Sequence, residues 1–491
     1  MQLSSSMAAI APIIFLALGI GAVNWIDLAR GQNRSSVAYP VSLTITLVLS
    51  VWFAINAAAG ETHYVFSNLA VIDPMANVLC SVAALAVFVT LIYTRKYLAD
   101  RDMYNGEFYM FALFTLGGQV VMITGNNFLT LYLGLELLSL ASYTLVALRR
   151  GANVSSESAM KYFILGALAS GLLLYGMSMM YGATGSLDLG EVFRQINTGN
   201  INKTILVFGV VFLVAGLAFK LGVAPFHMWV PDVYQGSPTA VTLLIAGAPK
   251  LAAFAMTLRI LVEGLLPLAF DWQNMLIVLA VLSLAIGNIT GVVQANFKRL
   301  LGYSTVSHMG FLLLGLLSGV SAGKPDLTAQ AYSASMFYAV TYVLTTLGAF
   351  GIILLLSRKG YEAEDIADLK GLSKKSPWFA LLTLFMMMSL AGLPPTVGFY
   401  AKLSVLGAVV DAGMPWLAIV AVLFSLVGAF YYLRVIKVMY FDAPADEGPV
   451  EATFGLRSVL SVNGLLVLLL GIFPAGLMAL CYQAIRLTLA S

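Results

Sequence analysis

Charge is scarce in this sequence. Only 10% of its 491 residues are Asp, Glu, Lys or Arg, while 60% are hydrophobic. A soluble globular chain carries about 25% charged and about 45–50% apolar residues. A water-soluble fold of this length would lack the polar surface to cover itself, and the mean hydropathy of +0.92 says the same. The net charge is only +3, which excludes a strong electrostatic pull on nucleic acid or another polyanion. There are two cysteines, Cys80 and Cys481, both inside apolar runs and without metal-ligand spacing, so they read as small core residues. The three histidines form no cluster with them, and no glycine-rich phosphate loop stands between a strand and a helix. The chain shows no nucleotide, flavin, haem, iron–sulfur or other metal site of its own, so any redox chemistry linked to it happens elsewhere. The opening MQLSSS carries no Lys or Arg, so the apolar run after it reads as a retained span and not a cleaved signal.

What is present is a succession of long apolar runs. Crossing about 30 Å of hydrocarbon at about 1.5 Å per residue takes about 20 residues. Runs of that kind fall near 7–24, 38–58, 74–94, 107–124, 127–147, 158–182, 203–224, 238–262, 273–294, 300–320, 328–357, 377–409, 415–440 and 456–484. They predict an all-α polytopic membrane protein of about fourteen transmembrane helices, because in hydrocarbon every backbone polar group must be satisfied within its own segment. With both termini on one side, seventeen Lys and Arg residues fall in loops on the opposite face: Arg30, Arg34, Arg95, Lys96, Arg101, Arg149, Arg150, Lys298, Arg299, Arg358, Lys359, Lys370, Lys374, Lys375, Arg434, Lys437 and Arg457. Five fall on the face of the termini: Arg194, Lys203, Arg259, Lys324 and Arg486. The positive-inside bias predicts both termini outside, in the periplasm or its equivalent.

Four lysines remain, Lys161, Lys220, Lys250 and Lys402, and all lie in apolar runs. Glu136, in LYLGLELLSLASY, is the one acidic residue well inside a span. A charge at mid-membrane costs about 2.5–3.5 kcal/mol on insertion scales and usually marks an ion pathway or proton relay. Lys161 begins its helix, from where a lysine can snorkel to the interface; Lys250 and Lys402 are too deep for that. His308 lies in GYSTVSHMGF, four residues after Ser304 and on the same helix face, and a histidine titrates near neutral pH. His227 follows Pro225 near the mouth of its span. His63 is in a polar loop.

Two helices are expected to break. Run 377–409 is too long for one straight crossing and contains AGLPPTVGF, where Pro394 and Pro395 remove two N–H donors. The other is GLAFKLGVAPFHMWVPD, where Pro225 follows Lys220. Helices four to eight and nine to thirteen then form two five-helix units with a broken, lysine-bearing helix fourth in each. Five is an odd number, so the second unit is inverted, which is an architecture of secondary transporters. The expected division is 1–106 (helices 1–3), 107–264 (first repeat), 265–440 (second, inverted repeat) and 441–491 (helix 14).

The stretches LGLELLSLASYTLVALRR, SAMKYFILGALASGLLLYG, FKLGVAPFHMWVPDVYQGSPT, KRLLGYSTVSHMGF and AGLPPTVGFYAKL closely resemble one family from about residue 70 onward. It is the subunit N family of the bacterial proton-pumping NADH:quinone oxidoreductase, respiratory complex I, equivalent to mitochondrial subunit 2. The resemblance implies fourteen helices, two inverted half-channels and a proton path along a central row of charges. It implies Glu136 as the carboxylate of the fifth helix, Lys220 as the lysine of the broken seventh, Lys250 as the connecting lysine of the eighth and Lys402 as the lysine of the broken twelfth. The related M subunit has a glutamate at that last place. The resemblance further implies membrane-arm neighbours of the M and K types, with NADH, FMN, iron–sulfur clusters and quinone on partner subunits, and a place in the bacterial inner membrane. An Mrp-type cation/proton antiporter subunit and a non-conducting scaffold subunit are the alternatives. A carboxylate-rich site would suit the antiporter's metal cation better than one deep Glu among three deep Lys.

Overall fold

The computed structural model describes residues 2–30, 35–104, 106–149, 151–199, 201–321, 325–444, 450 and 452–490. Of the residues in the charge count, Arg34, Arg150 and Lys324 lie outside these.

Three helices open the chain: α1 (Gln2–Arg30), α2 (Ser35–Ala59) and α3 (Pro74–Asp100). A short antiparallel hairpin, β1 (His63–Val65) with β2 (Ala70–Ile72), joins the last two. Asp73 caps α3 by accepting from the Ala76 N–H at 2.7 Å. The next group is α4 (Gly106–Thr124), α5 (Phe128–Val146), α6 (Asn153–Thr184), the loop helix α7 (Leu189–Asn197), α8 (Lys203–Leu221), α9 (Trp229–Gly236), α10 (Thr239–Ala246) and α11 (Pro249–Leu258), which ends in a π turn at Arg259–Gly264. Then come α12 (Ala269–Val292), α13 (Phe297–Ser321), α14 (Pro325–Leu356), the short α15 (Leu372–Lys375), α16 (Pro377–Ala391), α17 (Val397–Asp411) and α18 (Pro415–Phe441). The chain closes with α19 (Phe454–Ile472) and α20 (Ala475–Leu489).

Among the described residues, thirteen helices are long and apolar enough to cross a membrane. Two further helices, α16 and α20, are apolar but only 15 residues long, and α16 is followed across the Pro394–Pro395 break by α17, also of 15 residues. The polytopic all-α expectation therefore stands. Two elements are less regular than expected. The run 238–262 is not one straight helix: α10 stops at Ala246 and α11 restarts at Pro249, two residues past Gly247. The run 456–484 is likewise divided, because Pro474 has no N–H to continue α19. Gly471, at the end of α19, lies directly against the Pro395 carbonyl, so this interruption sits beside the break between α16 and α17.

The interior is formed by α10–α11, α13 and α14, whose side chains are almost all buried, while α6, α18 and α19 turn apolar residues outward. Close helix contacts rest on small residues, as expected where lipid gives no hydrophobic drive for association. A Cβ on Gly287 of α12 would come within 2.7 Å of the Ser307 nitrogen of α13, and Gly176 of α6 meets Leu213 of α8 in the same way.

Candidate proton-transfer site

The site grows from the way two helices end. Helix α8 stops because Gly222 adopts a left-handed conformation (φ +81°) and Pro225 follows. A helix end leaves its last four carbonyls without intrahelical donors. Here Ala218 and Phe219 receive the Gly222 N–H, at 2.9 and 3.1 Å, and Phe219 also takes the Trp229 indole N–H at 2.9 Å. The remaining two, Leu221 and Lys220, receive the ammonium of Lys250 at 2.8 and 3.4 Å. Lys250 is only 1% exposed, and its Nζ lies 5.2 Å from the centre of the Trp229 ring.

Helix α16 ends by the same construction. Gly392 has φ +83°, Pro394 and Pro395 follow, and the Gly392 N–H reaches Met388 and Ser389 at 2.9 and 3.0 Å. The last two carbonyls, Leu390 and Ala391, receive the ammonium of Lys402 at 3.2 and 2.9 Å. Lys402 also donates to Ser425 Oγ at 2.8 Å and lies 5.1 Å from the centre of the Phe311 ring. With Gly222 aligned on Gly392, Pro225 falls on Pro395, and Lys220 and Leu221 fall on Leu390 and Ala391. The sequence reading matched Lys220 with Lys402 because each shares a helix with a proline break. By position in space the equivalent of Lys402 is Lys250, which reaches the same seat from a different helix.

Lys220 points elsewhere. Its Nζ donates to Ser139 Oγ on α5 at 2.7 Å, and Ser139 in turn donates to the Leu135 carbonyl. Glu136 is one turn before Ser139. It lies within electrostatic reach of Lys220, yet no ion-pair contact joins the two, and Glu136 Oε1 is buried without a hydrogen-bond partner. The hydroxyl of Ser139 is what stands at the lysine.

His308 is buried on α13. Tyr338 of α14 sits at its Nδ1, 2.6 Å away, and Tyr432 of α18 at its Nε2, 3.3 Å away. Its ring also feels the charge of Lys402. His227 is half-buried with an unpartnered Nδ1 and rests against Tyr303 at 6.4 Å between ring centres. Lys161 is 45% exposed and pairs with Glu157 at 2.9 Å and Asp232 at 3.0 Å; Asp232 also holds Arg299 at 2.7 Å. The structure thus joins Glu136, Lys220 and Lys250 in one group and His308 and Lys402 in another, and leaves Lys161 in a surface ion network.

Sequence reasoning missed two buried cations. Arg259, assigned to a loop, is 1% exposed and makes two bonds to Asp73, at 3.0 and 3.1 Å, two to Glu263 at 3.0 and 3.2 Å, and one to the Ile123 carbonyl at 2.8 Å. Lys298, also counted as a loop residue, lies in the first turn of α13, buried, and donates to the Ser237 carbonyl at 2.7 Å. Nearby, Glu362 in the loop after α14 ties down Tyr97 at 2.9 Å, Arg101 at 2.8 Å and the Thr239 hydroxyl. Burial alone would raise the Glu362 carboxyl, but Lys298, Thr239, Arg101 and Tyr97 together hold it below the ordinary carboxylate range.

Residues 125–428 match the family described as NADH:quinone oxidoreductase/Mrp antiporter, transmembrane. The chain is 73% identical over 491 residues to the NADH-quinone oxidoreductase subunit N of Cupriavidus taiwanensis, covering 100% of both. It is 60% identical over 484 residues to that of Herminiimonas arsenicoxydans, covering 98% of each. Among solved structures, a chain of respiratory complex I from Thermus thermophilus with bound aureothin superposes with a TM-score of 0.81 at 30% identity, over 95% of this chain and 98% of that one. A chain of the Mrp complex from a Dietzia species shares the fold, with a TM-score of 0.82 at 20% identity over 98% and 97%.

Proposed function

This chain belongs to the NADH:quinone oxidoreductase/Mrp antiporter family, as the antiporter-like membrane subunit N of bacterial proton-pumping complex I, and on that premise we propose that it carries protons along Glu136, Lys220, Lys250, His308 and Lys402. The observation that carries this reading is the company kept by Lys250 and Lys402. A buried lysine that only holds a fold together normally faces a carboxylate, since an unpaired buried charge is costly. These two face backbone carbonyls, with one serine hydroxyl at Lys402. Neutral acceptors steady an ammonium, and when it loses its proton they leave no buried anion behind. Arg259 shows the opposite arrangement, locked between two carboxylates.

In this reading Ser139 seats the Lys220 ammonium within electrostatic reach of Glu136, Lys250 links the halves 107–264 and 265–440, and Lys402 stands nearest the exit. The matched Gly–Pro ends of α8 and α16 support treating the halves as an inverted pair. Both termini face the periplasm, M-type and K-type subunits flank the chain, and NADH, FMN, the iron–sulfur clusters and quinone belong to other subunits. Lys161 and His227 lie at the margin of the path.

The test is NADH-driven proton pumping by the purified, fully assembled complex in liposomes. Lys220→Ala and Glu136→Gln are each expected to slow pumping at unchanged assembly. Wild-type pumping by assembled Lys220→Ala complex would remove Lys220 from the path. A tag after Ser491 that is reached only from the cytoplasm would reverse the proposed orientation.

A further inference from the structure

Four polar side chains from three helices form one unbroken row beside Lys402. Ser304 and His308, four residues apart on α13, share a face. The Tyr432 hydroxyl of α18 is bonded to Ser304 Oγ and lies 3.3 Å from His308 Nε2. The Tyr338 hydroxyl of α14 is 2.6 Å from the other imidazole nitrogen. All four side chains are buried. A histidine that merely fills space needs one partner; this one has a hydroxyl at each nitrogen.

The row ends at a cavity of about 10 Å³ lined by His308, Tyr338, Thr345, Ser389 and Leu390 among others. That is about the smallest space that holds a water molecule, and the lining supplies the polar partners it needs. The Leu390 carbonyl is one of the two that seat the Lys402 ammonium. The cavity at the end of the row thus shares one residue, Leu390, with the seat of the lysine.

We propose that Ser304, Tyr432, His308 and Tyr338 are a hydroxyl–imidazole wire that carries protons to the cavity beside the seat of Lys402, with Tyr432 and Tyr338 as conducting residues. The inference rests on the reading of Lys402 as a proton carrier. Hydroxyls and neutral imidazole each both donate and accept. A proton added at Ser304 is relayed as each O–H or N–H bond breaks while a new one forms to the next atom. The imidazole gains a hydrogen on Nε2 and gives up the one on Nδ1. One proton enters, one leaves into the cavity, and nothing is oxidised or reduced. Afterwards every hydrogen points the other way, so the hydroxyls must turn and the imidazole must change tautomer before the next passage.

The experiment uses the assembled complex in liposomes and measures NADH oxidation, initial pumping rate and the solvent deuterium effect on pumping. Tyr432→Phe and Tyr338→Phe keep the rings and remove one oxygen each, and Lys402→Met runs beside them. Pumping is expected to fall at least about a hundredfold in each Phe variant, the lower end of what a lost proton-transfer group costs. A hydroxyl that only aids packing would leave the deuterium effect unchanged, whereas a broken wire raises it. Phe variants that pump within twofold of wild type while Lys402→Met fails would overturn the wire and leave the Lys402 reading intact. Wild-type pumping by Lys402→Met would overturn that reading itself. Should a Phe variant fail to assemble, Ser304→Ala probes the same row by removing one small group, and wild-type pumping there overturns the wire.

Discussion

The Asp73–Arg259–Glu263 cluster permits a stability prediction whose size follows from the geometry. Asp73 and Arg259 are each 1% exposed in the side chain, and one guanidinium nitrogen, Nη2, donates to both carboxylate oxygens, at 3.1 and 3.0 Å. Asp73→Asn keeps the shape, and Asn caps a helix as well as Asp does, so the cap on Ala76 is retained and only the charge is lost. Breaking one partner of a buried ion pair costs about 3–5 kcal/mol. Arg259 still has Glu263, whose side chain is 23% exposed, and the Ile123 carbonyl, which places the expected cost near the lower figure. About 3 kcal/mol corresponds to roughly a hundredfold change in an equilibrium constant. A reporter is built in: Cys80 is fully buried and lies within electrostatic reach of both Asp73 and Arg259. Its reaction with a thiol reagent requires local opening, so its labelling rate follows the opening equilibrium. In assembled complex, with labelling read by mass spectrometry of this chain, Asp73→Asn is expected to speed Cys80 modification roughly a hundredfold. Glu263→Gln, at the wetter position, should change it by about tenfold or less. Equal rates for wild type and Asp73→Asn would refute the argument that this pair holds the N-terminus of α3 to the π turn.

Other outcomes follow from the lysine seats and the loop carboxylate. Lys250→Arg keeps the charge but puts in a group that does not give up its proton; pumping should fall, while a purely structural lysine predicts that Arg is tolerated and that Met and Ala fail to assemble. Gly392→Ala would place a Cβ 2.6 Å from Lys402 Cδ and force a left-handed alanine at about 1–2 kcal/mol; it should impair pumping without removing any ionisable group, and undiminished pumping would mean the carbonyl seat is dispensable. Glu362 is held below its usual range, so its ties to Tyr97, Arg101 and Thr239 stabilise the fold above the ordinary carboxylate pKa and weaken as pH falls through the lowered folded value. Protease cleavage of the loop after α14 should therefore accelerate in acid for wild type and show no such pH step in Glu362→Gln.

Membrane insertion was legible from composition and run length alone, because about 20 apolar residues have no other stable home than lipid or a helical core. So were the breaks at Pro225 and at Pro394–Pro395, since proline removes its own donor wherever it stands. The interruptions at Gly247 and Pro474 escaped notice, as each falls in a run that remains apolar on both sides. Glu136, Lys220, Lys250, Lys402 and His308 could be named because a charged or titratable group in an apolar run is conspicuous. Arg259 and Lys298 were misassigned because each lies near the end of a run, where sequence does not distinguish a loop from a buried last turn.

The sequence by itself determined that the chain crosses a membrane many times, that it breaks at Pro225 and at Pro394–Pro395, and that Glu136, Lys220, Lys250, His308 and Lys402 lie in apolar runs. These depend on local chemistry: transfer cost, helix length and the missing N–H of proline. Only the tertiary structure decided which groups meet. Lys220 and Lys402 looked equivalent because both share a helix with a break, but a lysine reaches across space to whichever carbonyls are left open. The seat at the end of α8 went to Lys250, on another helix, and Lys220 turned to Ser139. Tyr338 and Tyr432 are separated from His308 by 30 and 124 positions along the chain, and no pattern in their own helices marks them as its partners. Hydrogen bonds between side chains act over about 3 Å, and which atoms come that close is set by how helices far apart in sequence pack together.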